Sequence, residues 1–312
     1  MSTLSWQTIA WHGVELQAPA DWHIAHLRIT PNESYMRMED GDLTRLEIKW
    51  VTMPPGKAPD LQEQAKAYLA QMEKEAKKRK LTLRKRVDTK LISKRQAKGR
   101  NVLTFDWQLD YIGEGMLWWC SDCNKVLMAQ VIGNRGERIR ELARRIFTSI
   151  SDHARNEWQR WSLFGLQFEM HQSMKLGEYD AKSGYVRFQF RYGDEESIEV
   201  ARWSLANVIL KRTSIEQWTA DMLKEHLRRY AIDYRTVKIG SHSGIALQGR
   251  WKVPLKTVRL FFRQLSKRGA LPRFQGWVWQ CTDTNRILWV IAIVKPEHIE
   301  WANHVIKTVK CH

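Results

Sequence analysis

The sequence predicts an α+β protein built as a tandem repeat of two similar units, each an antiparallel sheet with two packed helices. Two observations carry this prediction. The first is an internal match. Cys120-Ser121-Asp122-Cys123-Asn124-Lys125-Val126-Leu127 returns as Cys281-Thr282-Asp283-Thr284-Asn285-Arg286-Ile287-Leu288. Trp6-Gln7 likewise matches Trp158-Gln159, Gly13 matches Gly165, and Tyr35 and Arg37 match Tyr185 and Arg187. Matches in fixed order over half a chain indicate two copies of one structural unit. The second is the order of elements in each half: apolar stretches of strand length, one amphipathic helix, further strands and a closing helix. That order suits helices packed on an antiparallel sheet, not the strict alternation of a doubly wound fold. The expected domains are 1–153 and 154–312, joined near Ser151 to Asn156 by a link without Pro or Gly.

The first strands fall at Ile9 to Leu16, Tyr35 to Met38 and Leu46 to Val51, with counterparts at Trp161 to Phe168, Tyr185 to Phe190 and Ile198 to Leu205. Val186-Arg187-Phe188-Gln189-Phe190 shows the alternation of a half-buried strand. A helix follows in each half. Its apolar stripe runs Leu61, Ala65, Tyr68, Leu69, Met72 and Ala76 in the first, and Ile215, Trp218, Met222, Leu223, Leu227 and Tyr230 in the second. Asp60 with Glu63, and Thr213 with Glu216, have capping-box spacing. Strands then return around Leu81 to Val87, Asn101 to Leu109, Met116 to Cys120 and Val126 to Ile132, and the second copy adds an insertion near Leu255 to Gln275. Closing helices carry Ile139, Leu142, Ala143, Ile146 and Ile150, and Ile299, Ala302, Val305, Ile306 and Val309; Pro296 suits a first helical turn.

With the turn Ala18-Pro19-Ala20-Asp21-Trp22, this element order resembles the PsbP-like fold family, in two tandem copies. The second copy reads Met170-His171-Gln172-Ser173-Met174 at the same place, a departure from the Pro-x-x-Trp turn. The resemblance implies an assembly factor or protein-binding module; it carries over no site residues.

The bulk composition fits folded protein throughout. Of the sixteen tryptophans several recur at matched places (Trp6 and Trp158, Trp50 and Trp203, Trp107 and Trp251), as core packing shared by both copies would require. Four cysteines are too few for a disulfide framework, the N-terminus lacks a secretory pattern and no run is long enough to span a membrane. A cytoplasmic location is therefore expected.

Most candidate chemistry is better explained as structure. Cys120 and Cys123 form a CxxC without a second pair, and Cys123 matches Thr284, so the motif reads as a hairpin turn shaped by Asp and Asn. His23 and His26 could share a helical face but lack a partner. His298 and His304 read as solvent-facing. Gly240-Ser241-His242-Ser243-Gly244 has His where a nucleophile elbow needs Ser, and Gly113 with Gly115 make no phosphate loop. Asp106 and Asp110 flank Trp107 without a matching pair of acids in the other half. No catalytic residues, metal site or cofactor are expected.

Charge is the remaining lead. The net charge is +17, and Lys74 to Arg100 holds thirteen basic residues against Glu75 and Asp88. Arg250 to Arg273 holds eight and no acid. The expectation is a non-catalytic binding or scaffold protein whose basic surfaces engage an anionic macromolecule, nucleic acid among the candidates. The anion-binding residues would be Lys77, Lys78, Arg79, Lys80, Arg84, Lys85, Arg86, Arg95 and Arg100, with Arg259, Arg263, Lys267 and Arg268. The rival readings are a protein–protein interaction module, using a sheet face or the inter-repeat groove, and an enzyme with its site at the inter-repeat cleft.

Overall fold

His12 and Gly13 sit at φ of 49° and 76°. Two successive left-handed residues make the tight turn that matches strand twist, and they join β1 (Trp6–Trp11) to β2 (Val14–Pro19). Phe164 and Gly165, at 53° and 70°, do the same between β10 (Trp158–Leu163) and β11 (Leu166–His171). The computed structural model describes residues 5–54, 56, 58–154, 156–252 and 270–311. The chain divides into two units, Met1–Ala154 and Arg155–His312.

In the first unit, β2 leads through the Pro19 turn, where the Trp22 amide donates to Pro19 O at 3.2 Å and buries the indole. There follow β3 (His23–Ile29), β4 (Glu33–Glu39), β5 (Thr44–Thr52), α1 (Leu61–Lys78), β6 (Arg84–Val87), β7 (Asn101–Gln108), β8 (Tyr111–Trp119), β9 (Lys125–Asn134) and α2 (Arg140–Ser149). The strands form one antiparallel sheet, ordered β3-β4-β5-β9-β8-β7-β6. Alternation along β7 sends Leu103, Phe105 and Trp107 to the face covered by Leu61, Ala65 and Leu69 of α1. Ala143, Ile146 and Phe147 are the buried residues of α2, which packs on β2, β8 and β9.

In the second unit the Met174 amide donates to His171 O at 2.9 Å, so a buried methionine stands at a turn of the same kind as the one closed by Trp22. The elements after it are β12 (Lys175–Lys182), β13 (Tyr185–Tyr192), β14 (Glu196–Ser204), α3 (Ala206–Ile209), a 3₁₀ turn (Leu210–Arg212), α4 (Ile215–Met222), α5 (Lys224–Arg229), β15 (Tyr230–Ile239), β16 (His242–Trp251), β17 (Arg273–Cys281), β18 (Arg286–Val294), a second 3₁₀ turn (Pro296–His298) and α6 (Ile299–Thr308). Their sheet runs β12-β13-β14-β18-β17-β16-β15. Its core joins Ile245, Leu247, Phe274 and Trp289 to Leu223 and Tyr230.

These facts correct the α+β expectation of two helices per unit. Strands hold 50% of the described residues and helices 21%, so these residues are mostly antiparallel sheet, with six helices among them. Strand content was undercounted at three of the four sheet edges, β3, β12 and β15, while the strand expected at Leu81 to Val87 is β6. β3, β6, β12 and β15 are the outer strands, and all four are mainly exposed. Polar and charged side chains there erase the apolar alternation while protecting the edge from unwanted pairing. His23 and His26 accordingly lie on β3, either side of a bulge, and not on a helix. The long second helix is also corrected: it stops after Met222, restarts as α5 and gives way to β15 at Tyr230. Its N-cap is Ser214, whose hydroxyl accepts from Gln217 N at 3.2 Å, and not Thr213. Trp251, matched above with Trp107, is 37% exposed at the end of β16, whereas Trp107 is buried. Among the described residues no helix is long and apolar enough to cross a membrane.

Candidate functional site

β6 is an outer strand with a three-residue basic run. Its register pairs Arg84 with Gln108 and Arg86 with Asp106 on one face, and Lys85 with Trp107 on the face covered by α1. Past Val87 the chain continues along the same edge: the Thr89 amide donates to Thr104 O, the Leu91 amide to Thr104 Oγ1, and Leu91 and Ala97 are buried. Those two anchors leave Lys90, Lys94, Arg95 and Lys98 exposed.

Ion pairing divides the basic residues into two groups. Lys77 meets Glu73 at 3.3 Å, Lys78 meets Glu75 at 2.9 Å, Arg79 meets Asp110 at 2.8 Å, and Lys85 and Arg86 reach Glu73 and Asp106 at 2.5 Å. Lys85 and Lys77 together hold the Glu73 carboxyl below its ordinary range. Asp106 and Asp110 thus serve as ion-pair partners. Among the described residues Lys74, Lys80, Arg84, Lys90, Lys94, Arg95 and Lys98 are exposed with no carboxylate partner. Arg100 is withdrawn from the surface altogether: its guanidinium is 12% exposed and lies 2.7 Å from the fully buried Asp152. In the second unit, Arg259, Arg263, Lys267 and Arg268 lie outside the described residues.

Arg84, Arg86, Asp106, Gln108 and Glu114 line a groove of about 370 Å³ beside this edge. Burial raises the Glu114 carboxyl even though Arg140 stands 3.1 Å away. With each acid held by an arginine, the groove offers charge pairs in place of a free general base.

The Cys120–Cys123 segment is the turn between β8 and β9, with Asn124 left-handed at 54° as Asn285 is at 51°. The turn also brings Cys120 and Cys123 beside Asp152 and His153, which follow α2; one ligand atom from each lies within 4.8 Å of the others. Nothing in the local sequence announces that meeting, because the two segments are far apart along the chain. Asp152 is already committed, however. It accepts from Arg100, from the Trp118 indole at 3.0 Å and sits 2.9 Å from His153 Nδ1. Lys125 Nζ donates to the carbonyls of His12 and Asp152, both at 2.8 Å, and burial lowers its pKa. Burial pushes the Cys123 thiol up to about 12, so it carries almost no thiolate at neutral pH. The cluster fastens the β8–β9 turn to the end of α2.

His298 and His304 are corrections too. Each is partly buried and paired, His298 with Glu196 at 2.9 Å and His304 with Glu169 at 2.9 Å, and each stacks on a tryptophan, Trp301 and Trp158 respectively.

No protein-family model matches the chain, and no curated protein matches it. Among solved structures the chain is similar to the immunity protein TplEi of the T6SS from Pseudomonas aeruginosa, complexed with "L" peptide. The identity is 11%, 98% of each chain is covered and the TM-score is 0.33. At that similarity too little geometry is shared for the neighbour's fold or partner to be transferred.

Proposed function

We propose that this protein is a non-catalytic binding module that engages an anionic macromolecule along the basic edge of its first sheet, with a phosphate backbone as the partner chemistry. One observation supports the reading above the others: seven exposed cations between Lys74 and Lys98 have no carboxylate partner among the described residues. Cations without a carboxylate partner remain available to replace the counterions of a polyanion, whereas ion-paired ones have already lost part of that capacity. These cations are contributed by the end of α1, by β6 and by the turns after it, a spread of point charges that suits contact with a backbone and not with base edges.

The test is binding of a short single-stranded and a short double-stranded oligonucleotide across a salt series. Each phosphate contact adds about 0.7–0.9 to the slope of log K against log salt. The triple change Lys80→Glu, Arg84→Glu, Arg95→Glu is expected to lower that slope by roughly 2 or more. Lys77→Glu, at a residue shared with Glu73, is expected to cost less than any of the three. Equal binding by the triple variant and the parent, or no binding at low salt, overturns the proposal.

A protein partner is the second reading. It is favoured by Leu205 and Val208, 59% and 61% exposed beside and on α3. Binding through that apolar pair would persist at salt concentrations that abolish phosphate contacts.

A further inference from the structure

Three donors of a different kind meet in the second unit. His242 opens β16 immediately after the Gly240-Ser241 turn, where Ile239 pairs with His242. Cys281 closes β17, paired with Arg286. Cys311 follows α6, in a segment tied to β11 by the Lys310 amide on Gln167 O at 2.8 Å. His242 Nε2 stands 3.2 Å from Cys311 Sγ, and one ligand atom from each of the three residues lies within 4.8 Å of the others. Both cysteines are buried and neither is in a disulfide, and Thr284 Oγ1 donates to Cys281 Sγ at 3.1 Å.

Strand register identifies what the first unit puts at these positions. Gly244 pairs with Trp279, two residues before Cys281, and His242 lies two residues before Gly244. Val102 pairs with Trp118, two residues before Cys120, and Arg100 lies two residues before Val102. Cys311 follows Lys310, which bridges to Gln167; Asp152 follows Ser151, which bridges to Glu15. The first unit therefore sets a guanidinium on a carboxylate, and the second sets an imidazole on a thiol. Both members of the pair differ, and the difference runs from a salt bridge to two metal-donor side chains. Arginine cannot coordinate, which leaves the first cluster closed by its own ion pair.

We propose that His242, Cys281 and Cys311 form a binding site for zinc(II), with the fourth coordination position facing the adjoining cavity. Two sulfurs and one imidazole nitrogen are borderline-soft donors that suit zinc and disfavour magnesium or calcium. All three come from strand ends or from a segment anchored to a strand, so they are held in place before any ion arrives. On one side lies a cavity of about 570 Å³, lined by Ile239, His242, Trp279, Ile306, Val309 and Cys311 among others. An exogenous ligand or water would complete a tetrahedron from there. Binding forms two Zn–S bonds and one Zn–N bond, and the two S–H protons pass to solvent. The two thiolates then neutralise the ion's charge, as a buried site requires.

The test uses the full chain, stripped with chelator and titrated with cobalt(II) as a spectroscopic stand-in, then with zinc(II) against a chromophoric competitor. The expected result is one ion per chain, thiolate-to-cobalt charge-transfer absorption, tetrahedral d–d bands, displacement of cobalt by zinc and release of protons. Cys281→Ser and Cys311→Ser are each expected to abolish the charge-transfer band or halve it, and His242→Ala to weaken zinc at least tenfold. Cys120→Ser and Cys123→Ser are expected to change neither spectrum nor stoichiometry. Circular dichroism separates loss of the site from loss of the fold. A variant that does not fold is replaced by metal-protected alkylation of the parent, in which zinc should shield Cys281 and Cys311 while leaving Cys123 as reactive as before. No bound cobalt or zinc overturns the proposal. So does a spectrum that survives Cys281→Ser unchanged or is lost in Cys120→Ser, or a disulfide between Cys281 and Cys311 in protein purified without oxidant.

Discussion

Asp152 is the residue on which local chemistry and long-range structure meet. Its side chain is fully buried, and desolvation alone would raise its carboxyl; the Arg100 guanidinium overrides that and holds it below the ordinary carboxylate range. A folded-state value below the unfolded one contributes stability that is present above the unfolded value, near 4, and is lost as pH falls through the folded value. The parent should therefore show an acid-side loss of stability that Asp152→Asn lacks, measured as thermal midpoint against pH. At neutral pH the same change should destabilise by about 3–5 kcal/mol, because it leaves the largely covered Arg100 side chain without its counter-charge. None of this was legible in the sequence. Arg100 read as the last cation of an exposed run, since a partner fifty residues away leaves no mark on the residues beside it. Cys120 to Asn124 was legible as a turn because the left-handed Asn is a local preference.

At the scale of elements, helix starts and sheet interiors follow rules confined to a few neighbouring residues. Asp60 was identified by spacing, and it does accept from Gln62 N at 2.8 Å and Glu63 N at 3.0 Å. Asp60→Ala should cost about 1 kcal/mol in a denaturation experiment, with α1 still formed. Glycines in β8 depend on the neighbouring strand instead. Gly113 and Gly115 pair with Trp107 and Phe105, and a Cβ at either position would come within 2.2 Å of the facing ring. Gly115→Ala should destabilise by roughly 1–3 kcal/mol through overpacking, a loss that Phe105→Leu in the same chain should partly relieve. Sequence reading set these glycines aside as a failed phosphate loop. Their function is to let aromatic rings lie across the sheet. Edge strands show the same limit: β15 was read as the tail of a helix because Tyr230 continues a 3.6-residue stripe, yet it pairs with Trp251 in the sheet.

For the whole molecule the governing quantity is a net charge of +17. Unlike charges are paired at short range, and what remains is repulsion among exposed cations. Added salt should therefore raise the thermal midpoint at neutral pH, by screening that self-repulsion over roughly 8–10 Å. A midpoint that falls with salt would mean that the surface ion pairs outweigh the net repulsion. Charge excess and its concentration between Lys74 and Arg100 were visible without any structure. Which of those charges stay available was not: Lys77, Lys78, Arg79, Lys85 and Arg86 are shared with acids, while Lys80, Arg84 and Arg95 are not.

The sequence by itself determined the inner strands of the first large sheet, the Asp60 helix start, the Cys120–Asn124 turn and the sign and rough location of the surface charge. Each depends on side-chain periodicity or on the preference of one residue for a backbone conformation, and both are properties of short segments. Ile9 to Leu16 and Trp161 to Phe168, each expected as one strand stretch, are both two-strand hairpins. Tertiary structure alone decided that β3, β12 and β15 are strands, that the Arg100 side chain is largely withdrawn from solvent, and that His242 lies against Cys311. An edge strand is held by hydrogen bonds to one neighbour and not by an apolar pattern of its own. A buried pair exists only because the sheet register brings distant residues to the same place.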